Sequence, residues 1–207
     1  MAGEDLIFYT GAAVFGIAAI LFGVLNSKKQ ERKFNVELFV SFITSISYIV
    51  MALGYATVVA PNSELIYWSR WLFYTASCIL LTTDIAHLKG VSNSKIAEIA
   101  VYTGLTMFAG FLASYFITID RWWFFGFSSI AYLALLFELN RGARDSLPQM
   151  PKILLFVTIT WTLFPVVWIL APTGFGFIDA FITSILYLGI DLITKTLFGL
   201  YLYTKVK

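Results

Sequence analysis

The sequence predicts an all-α membrane protein with seven transmembrane helices. Of its 207 residues, 59% are hydrophobic and 13% are charged, and the mean hydropathy is +0.83. Soluble domains carry about 25% charged residues, so a disordered chain, a coiled coil or a soluble domain is excluded. The net charge of +2 is too small for a face that binds nucleic acid. The single cysteine, Cys78, excludes a disulfide framework, and no residue cluster in the sequence indicates a metal site.

Seven mostly apolar stretches are long enough to cross a bilayer, which takes roughly 20 helical residues. They are Leu6–Leu25, Val36–Ala60, Tyr67–Leu88, Ile96–Ile119, Trp122–Leu139, Ile153–Ala171 and Phe175–Tyr203. The short connectors between them contain turn-forming residues such as Pro61, Gly90 and Pro172. Because the stretches use nearly the whole chain, we expect residues 1–207 to form a single membrane domain.

Basic residues predict how the helices are oriented in the cell membrane. Eleven of the fourteen Lys and Arg residues lie on one predicted side: Lys28, Lys29, Arg32, Lys33, Lys89, Lys95, Arg141, Arg144, Lys152, Lys205 and Lys207. The opposite side has only Arg121. Since cytoplasmic loops carry the excess of Lys and Arg, we expect an N-terminus outside the cell and a cytoplasmic C-terminus.

An ionisable pair lies inside the last apolar stretch. Lys195 is flanked by mostly apolar residues for more than a turn on each side, and Asp191 lies four residues earlier, on the same helical face. A buried lysine is costly in a membrane and usually marks function, although a plain buried ion pair would give the same pattern. A buried amine is also suited to forming a Schiff base with a carbonyl compound.

Three aromatic residues share one face of the sixth stretch. Trp161, Phe164 and Trp168 have helical spacings of three and seven residues, and Pro165 predicts a kink beside them. Such a stripe by itself is more often ordinary aromatic core. Beside a buried lysine, it indicates the walls of a site for a flat apolar ligand.

The third stretch carries a possible proton-transfer residue. Phe73 and Ser77 are one turn apart, and Asp84 returns to their face roughly 16 Å nearer the cytoplasm than Phe73. Asp84 could instead be an interfacial acid paired with Lys89 or His87. The spacing alone does not separate these two interpretations.

These features together resemble a microbial rhodopsin, and the resemblance covers essentially the whole chain. Four motifs carry it, in order: Tyr48-Ile-Val-Met-Ala-Leu-Gly-Tyr55, then Arg70, then Trp161-Thr-Leu-Phe164-Pro165-Val-Val-Trp168, then Asp191-Leu-Ile-Thr-Lys195. The sixth-helix motif has Phe where the family has Tyr. The resemblance implies the seven-helix rhodopsin bundle, with all-trans retinal bound as a Schiff base to Lys195 and Asp191 as its counter-ion.

Further retinal-contacting positions follow from the same resemblance. They are Tyr74, Ser77, Cys78, Met107, Ser128, Ser129, Tyr132, Trp161, Phe164 and Trp168. Tyr74 stands where many relatives have tryptophan, and together with Trp161 and Trp168 it would enclose the chromophore. The resemblance also implies a homotrimer.

One departure from the family pattern predicts the direction of transport. Outward proton pumps have a carboxylate three residues after the arginine, whereas Phe73 holds that place here. Phe73, Ser77 and Asp84 resemble the Phe-Ser-Glu set of the schizorhodopsin and Antarctic rhodopsin group, which pumps protons inward under light. We therefore expect an inward proton pump and not an enzyme. The residues expected to move or guide the proton are Arg70, Phe73, Ser77, Cys78, Asp84 and Asp191.

The sequence is also compatible with three other functions. A sensory rhodopsin would share the retinal site and signal to a separate partner. An outward pump or channel would differ in the sign of the photocurrent. A transporter or membrane enzyme without retinal would use Asp191 and Lys195 as a substrate site, although the sequence shows neither a phosphate-binding glycine loop nor a nucleophile triad.

Overall fold

The structure, a computed structural model, describes residues 2–28, 34–141 and 147–205. The helices are α1 (Ala2–Lys28), α2 (Asn35–Ala52), α3 (Ser69–Lys89), α4 (Asn93–Tyr115), α5 (Asp120–Asn140), α6 (Met150–Leu170), α7 (Ala180–Asp191) and α8 (Phe198–Lys205). A π-helical segment, Leu192–Leu197, joins α7 to α8, so that these three pieces form the seventh span. Neighbouring helices pack in sequence order and α1 contacts α7, which closes the ring of seven spans.

The described helices confirm the predicted all-α membrane fold. Six of the seven spans are long and apolar enough to cross a membrane by composition alone. The remaining span, α3, is 21 residues long but more polar, because it contains residues such as Arg70 and Asp84. Large side chains on the outside of the bundle, among them Ile20 (70% exposed) and Ile130 (67% exposed), provide the apolar surface expected against lipid.

The second predicted stretch is wrong at its C-terminal end. It was expected to continue to Ala60, whereas α2 ends at Ala52 and Gly54 takes the left-handed conformation, with φ of +70°. The chain then forms an antiparallel hairpin of β1 (Thr57–Val59) and β2 (Leu65–Tyr67). Hydropathy reports that residues are apolar but does not distinguish a short apolar strand from the last turns of a helix.

The seventh predicted stretch is wrong at its N-terminal end. It was expected to begin at Phe175, whereas α7 begins at Ala180. The Asp179 carboxylate accepts a hydrogen bond from the Ile182 N–H at 2.7 Å, which caps the helix there. The other predicted boundaries differ from the helices by at most four residues.

The two ends of the bundle carry different elements. The hairpin end holds the start of α1 and the β1–β2 hairpin, and the tail end holds the end of α8. Six of the eleven basic residues used to predict the orientation lie at the tail end: Lys28, Lys89, Lys95, Arg141, Lys152 and Lys205. The other five, Lys29, Arg32, Lys33, Arg144 and Lys207, lie outside the described residues.

Candidate functional site

The predicted ion pair lies in the interior of the bundle. Lys195 belongs to the π-helical segment and Asp191 is the last residue of α7, so the change of helix type falls at the pair. Their side chains are 2% and 0% exposed, and Lys195 Nζ lies 2.8 Å from Asp191 Oδ1. The angles of this contact fall outside those of a hydrogen bond. Single π-helical turns are frequent at functional sites.

The second carboxylate oxygen of Asp191 contacts three donors from two other helices. Tyr48 on α2 donates its hydroxyl to Oδ2 at 2.9 Å, and Tyr74 on α3 does so at 2.5 Å. Arg70 Nη1 lies 3.3 Å from the same oxygen. It also donates to the hydroxyls of Tyr48 and Tyr74, at 3.1 and 3.2 Å. These three donors satisfy the second carboxylate oxygen and fix the orientation of the carboxylate.

A mostly apolar cavity of about 770 Å³, the central cavity, lies beside Lys195 in the interior of the bundle. Ten of the residues that the sequence predicts to contact or bind retinal line it: Tyr74, Cys78, Met107, Ser128, Ser129, Tyr132, Trp161, Phe164, Trp168 and Lys195. The Lys195 amine lies over the Tyr74 ring, 3.8 Å from its centre. A few polar groups in an apolar, aromatic lining are typical of small-molecule sites.

Five other residues named from the sequence do not line this central cavity. Asp191 and Arg70 lie buried on the hairpin side of Lys195. Ser77 is buried on α3, whereas Phe73 and Asp84 on the same helix are half-buried. The structure thus brings Arg70, Asp191 and Lys195 into one cluster and leaves Asp84 apart from it along α3. The roles expected for all five remain predictions.

Several cavity residues were not identified from the sequence. Trp71, Thr103, Thr106, Gly110, Phe125 and Thr194 also line the central cavity. Helical spacing was a usable signal on α4, where residues 103, 106, 107 and 110 share one face. Phe125 gave no such signal, because its place follows from stacking on Trp168 at 4.4 Å across two helices. The contact between Tyr48 and Asp191 likewise joins residues 143 positions apart.

The tail end of the bundle is held by a buried lysine. Lys89 Nζ donates to the main-chain oxygens of Leu139 at 2.7 Å and Arg141 at 2.6 Å, at the C-terminus of α5. A cation at a helix C-terminus also interacts favourably with the helix dipole. Glu138, near the C-terminus of α5, forms an ion pair with Lys95 at 2.6 Å.

Comparison with known proteins identifies the family. The family model for bacteriorhodopsin-like proteins matches residues 2–206. The chain belongs to the bacteriorhodopsin-like family. Among solved structures, this bacteriorhodopsin-like chain is similar to schizorhodopsin 4, with 38% sequence identity, a TM-score of 0.90, and coverage of 98% of this chain and 99% of that one.

Curated relatives of this bacteriorhodopsin-like protein include pigments with different names. Bacteriorhodopsin from Haloterrigena sp. (strain arg-4) is 30% identical, over 87% of this chain and 77% of the relative. Sensory rhodopsin-2 from Natronomonas pharaonis is 26% identical, over 96% of this chain and 87% of the relative. Because both pump and sensor names occur, membership establishes a microbial rhodopsin but does not by itself establish its output.

The residues present fit the retinal that the family implies. Such a ligand needs a lysine amine at the wall of an apolar cavity, and Lys195 meets this requirement among the described residues. The lining rings of Tyr74, Trp161 and Trp168 suit a flat polyene. Asp191 supplies a negative charge beside the amine, as a protonated Schiff base requires.

Proposed function

We propose that this microbial rhodopsin is a light-driven pump that moves protons into the cell, with all-trans retinal attached to Lys195. When bound as a protonated Schiff base, retinal supplies absorption of visible light and an isomerisation that reorients the N–H at Nζ. Central-cavity side chains such as Trp161, Trp168 and Tyr74 hold and orient the ligand and exclude water from its polyene.

The observation that supports the inward direction of proton transport is the set of groups on the hairpin side of Lys195. Phe73, three residues after Arg70, cannot accept a proton. Asp191 is the one carboxylate that pairs with Lys195 among the described residues. Its other oxygen already accepts from three donors, so protonating Asp191 would weaken these contacts. Transfer of the Nζ proton toward the hairpin end is therefore unfavourable.

On the tail side, α3 offers a route away from Lys195. Cys78 lines the central cavity, and the Ser77 hydroxyl is buried without a hydrogen-bond partner among the described residues. Buried hydroxyls are normally paired, so this one is available to bond water or a migrating proton. Asp84 lies ten residues beyond Tyr74, about 15 Å along the helix. We assign it the role of binding or attracting the released proton.

Reprotonation of Lys195 completes the cycle from the hairpin end. The distribution of basic residues supports an orientation in which the hairpin end faces outside. A proton arriving there passes Arg70 and Asp191 before it reaches Nζ. The similarity to schizorhodopsin 4 along nearly the whole chain supports this proposal, because it coincides with the Phe73–Ser77–Asp84 set.

The direct test is the light-induced pH change in a suspension of cells that express the protein with all-trans retinal. We expect alkalinisation of the medium that a protonophore abolishes, and no signal from a Lys195→Ala control. Acidification would overturn the inward direction. Coloured cells without any pH change would refute pumping.

A sensory function is the second candidate, because sensory rhodopsin-2 matches 96% of the chain. A sensor would share the retinal site and differ only in its output. Purified protein in liposomes separates the two functions, since a pump acidifies or alkalinises the lumen without any partner. Absence of transport by coloured liposomes with verified orientation would favour the sensor.

A further inference from the structure

A second cavity, of about 370 Å³, lies at the hairpin end. It is enclosed by β2, by the connector between α6 and α7, and by the first turns of α7. The residues that matter for its chemistry are Arg70, Trp71, Thr173, Thr183, Ser184 and Tyr187. This hairpin-end cavity therefore reaches the cluster around Asp191 from the side opposite Asp84.

Tyr187 presents an unpaired hydroxyl at this cavity. The residue is 4% exposed, and its hydroxyl has no hydrogen-bond partner among the described residues. Its ring is held firmly, because the guanidinium carbon of Arg70 lies 4.7 Å from the ring centre and Phe164 stacks on it at 6.0 Å. A buried hydroxyl without a partner is unfavourable, and where the site is polar, ordered water normally supplies the missing hydrogen bond.

The other polar groups of the cavity complement that hydroxyl. Thr173, Thr183 and Ser184 donate their hydroxyl protons to main-chain oxygens 2.7–2.8 Å away, which leaves their oxygen lone pairs as acceptors. Within the described part of the chain, the hydrogen bonds of Arg70 are all donated by Nη1, which leaves its other guanidinium N–H groups as donors for water. Water in this cavity would find the two to four polar partners that it needs.

Trp71 lies between the two cavities. It lines both of them, and its ring packs edge-on against Tyr187 at 5.9 Å and Tyr74 at 5.8 Å. The position where a Cβ atom would stand on Gly110 lies 3.4 Å from the indole, so the ring closely abuts α4. Water can thus approach Arg70 from the hairpin end, while Trp71 keeps it out of the central cavity.

We propose that the hairpin-end cavity is a water-binding site for proton uptake, and that Tyr187 is the residue that positions this water beside Arg70. The inference rests on the proposed inward pump. For each proton that leaves Lys195 Nζ toward the tail end, one enters the water of this cavity from outside and moves past Arg70 and Asp191 to Nζ. The Tyr187 hydroxyl accepts one hydrogen bond and donates another, so its own charge does not change.

The test is Tyr187→Phe, which removes the hydroxyl and retains the ring that packs on Arg70 and Phe164. After a light flash, the final recovery of visible absorption should slow by about tenfold, and steady pumping should fall in proportion. The matched control is Tyr9→Phe, at a side chain 54% exposed on α1, which should recover at the wild-type rate.

A small permeant acid distinguishes loss of water positioning from a packing defect. Sodium azide should accelerate the slowed recovery of Tyr187→Phe by carrying protons into the cavity, whereas it should not repair misplaced rings. Recovery in the variant should also become proportional to the proton concentration outside. Both effects should be small in wild-type protein.

The possible outcomes separate this inference from the proposed function. If wild-type protein pumps inward and Tyr187→Phe recovers at the wild-type rate, the role of Tyr187 is wrong. A slow variant that azide does not accelerate would also overturn it. If wild-type protein does not pump inward at all, the proposed function itself fails.

Discussion

The hairpin and tail sides of Lys195 differ sharply in the polar groups that they offer. On the hairpin side, Asp191, Arg70 and Tyr48 form a connected set of ion pairs and hydrogen bonds within 3.3 Å of one another. On the tail side, the buried core is largely apolar, with side chains such as Ile85 and Leu135.

The difference supports the proposed direction of transport. Polar groups close to an amine do not necessarily accept its proton, because three donors already satisfy the carboxylate oxygen of Asp191 that faces away from Lys195. A distant acid such as Asp84 can act as the destination when the route between is made of small hydroxyl and thiol groups. In the proposed pump, the charged groups on the hairpin side stabilise the resting state, and the proton is released on the less polar tail side.

The largest effect should come from Lys195→Ala, which removes the amine that lies between the hairpin side and the tail side. We expect complete loss of visible absorption, because no other described lysine lines the central cavity. Lys152→Ala, at an exposed position at the start of α6, is the control and should bind retinal normally. Absorption spectra of purified protein reconstituted with all-trans retinal provide the measurement. A coloured Lys195→Ala protein would refute the attachment.

Asp191→Asn should disrupt the ion pairs and hydrogen bonds on the hairpin side of Lys195. Removing one partner of a buried ion pair leaves an uncompensated charge and costs about 3–5 kcal/mol, so we expect a large fall in the temperature at which colour is lost. Pumping should also be abolished. Asp120→Asn, at the exposed start of α5, should match wild type in both measurements. Normal stability in Asp191→Asn would show that the cluster is not the main stabilising contact of Arg70 and Lys195.

Asp84→Asn should disturb only the tail side. We expect colour and thermal stability close to wild type, with transport reduced by about tenfold or more, because the neutral amide neither binds nor attracts a proton. Glu98→Gln, in a partly exposed ion pair with Lys95 at the same end, is the control. Unchanged photocurrent in Asp84→Asn would remove this residue from the pathway.

Tyr48→Phe should have the smallest effect. It tests whether the remaining donors to Asp191 can hold the carboxylate without Tyr48. It removes the hydrogen bond that Tyr48 donates to Asp191 and the one that Tyr48 accepts from Arg70. Tyr74 and Arg70 keep their own contacts with Asp191, so the expected loss of stability is about 0.5–1.5 kcal/mol for each lost hydrogen bond. Thermal loss of colour measures it, with Tyr115→Phe, at a side chain 45% exposed, as the control. A loss as large as that of Asp191→Asn would mean that Tyr48 is indispensable for holding the carboxylate.

Much of the candidate retinal site could be predicted, because many of its residues recur at helical intervals along the sequence. Trp161, Phe164 and Trp168 share a face at helical intervals, and all three line the central cavity, as do Tyr74 and Lys195. The π-helical segment around Lys195 could not be predicted, since nothing in its composition separates it from α-helix. The predicted homotrimer and the membrane orientation remain predictions.

The sequence by itself determined the membrane class, the seven spans and the pairing of Asp191 with Lys195, because composition and helical periodicity are local properties. Only the tertiary structure decided that Tyr48 and Tyr74 donate to Asp191, that Trp71 separates two cavities, and that the chain after α2 forms a hairpin over one of them. These features join residues far apart in the chain. They depend on which helix faces meet once the ring of spans has closed.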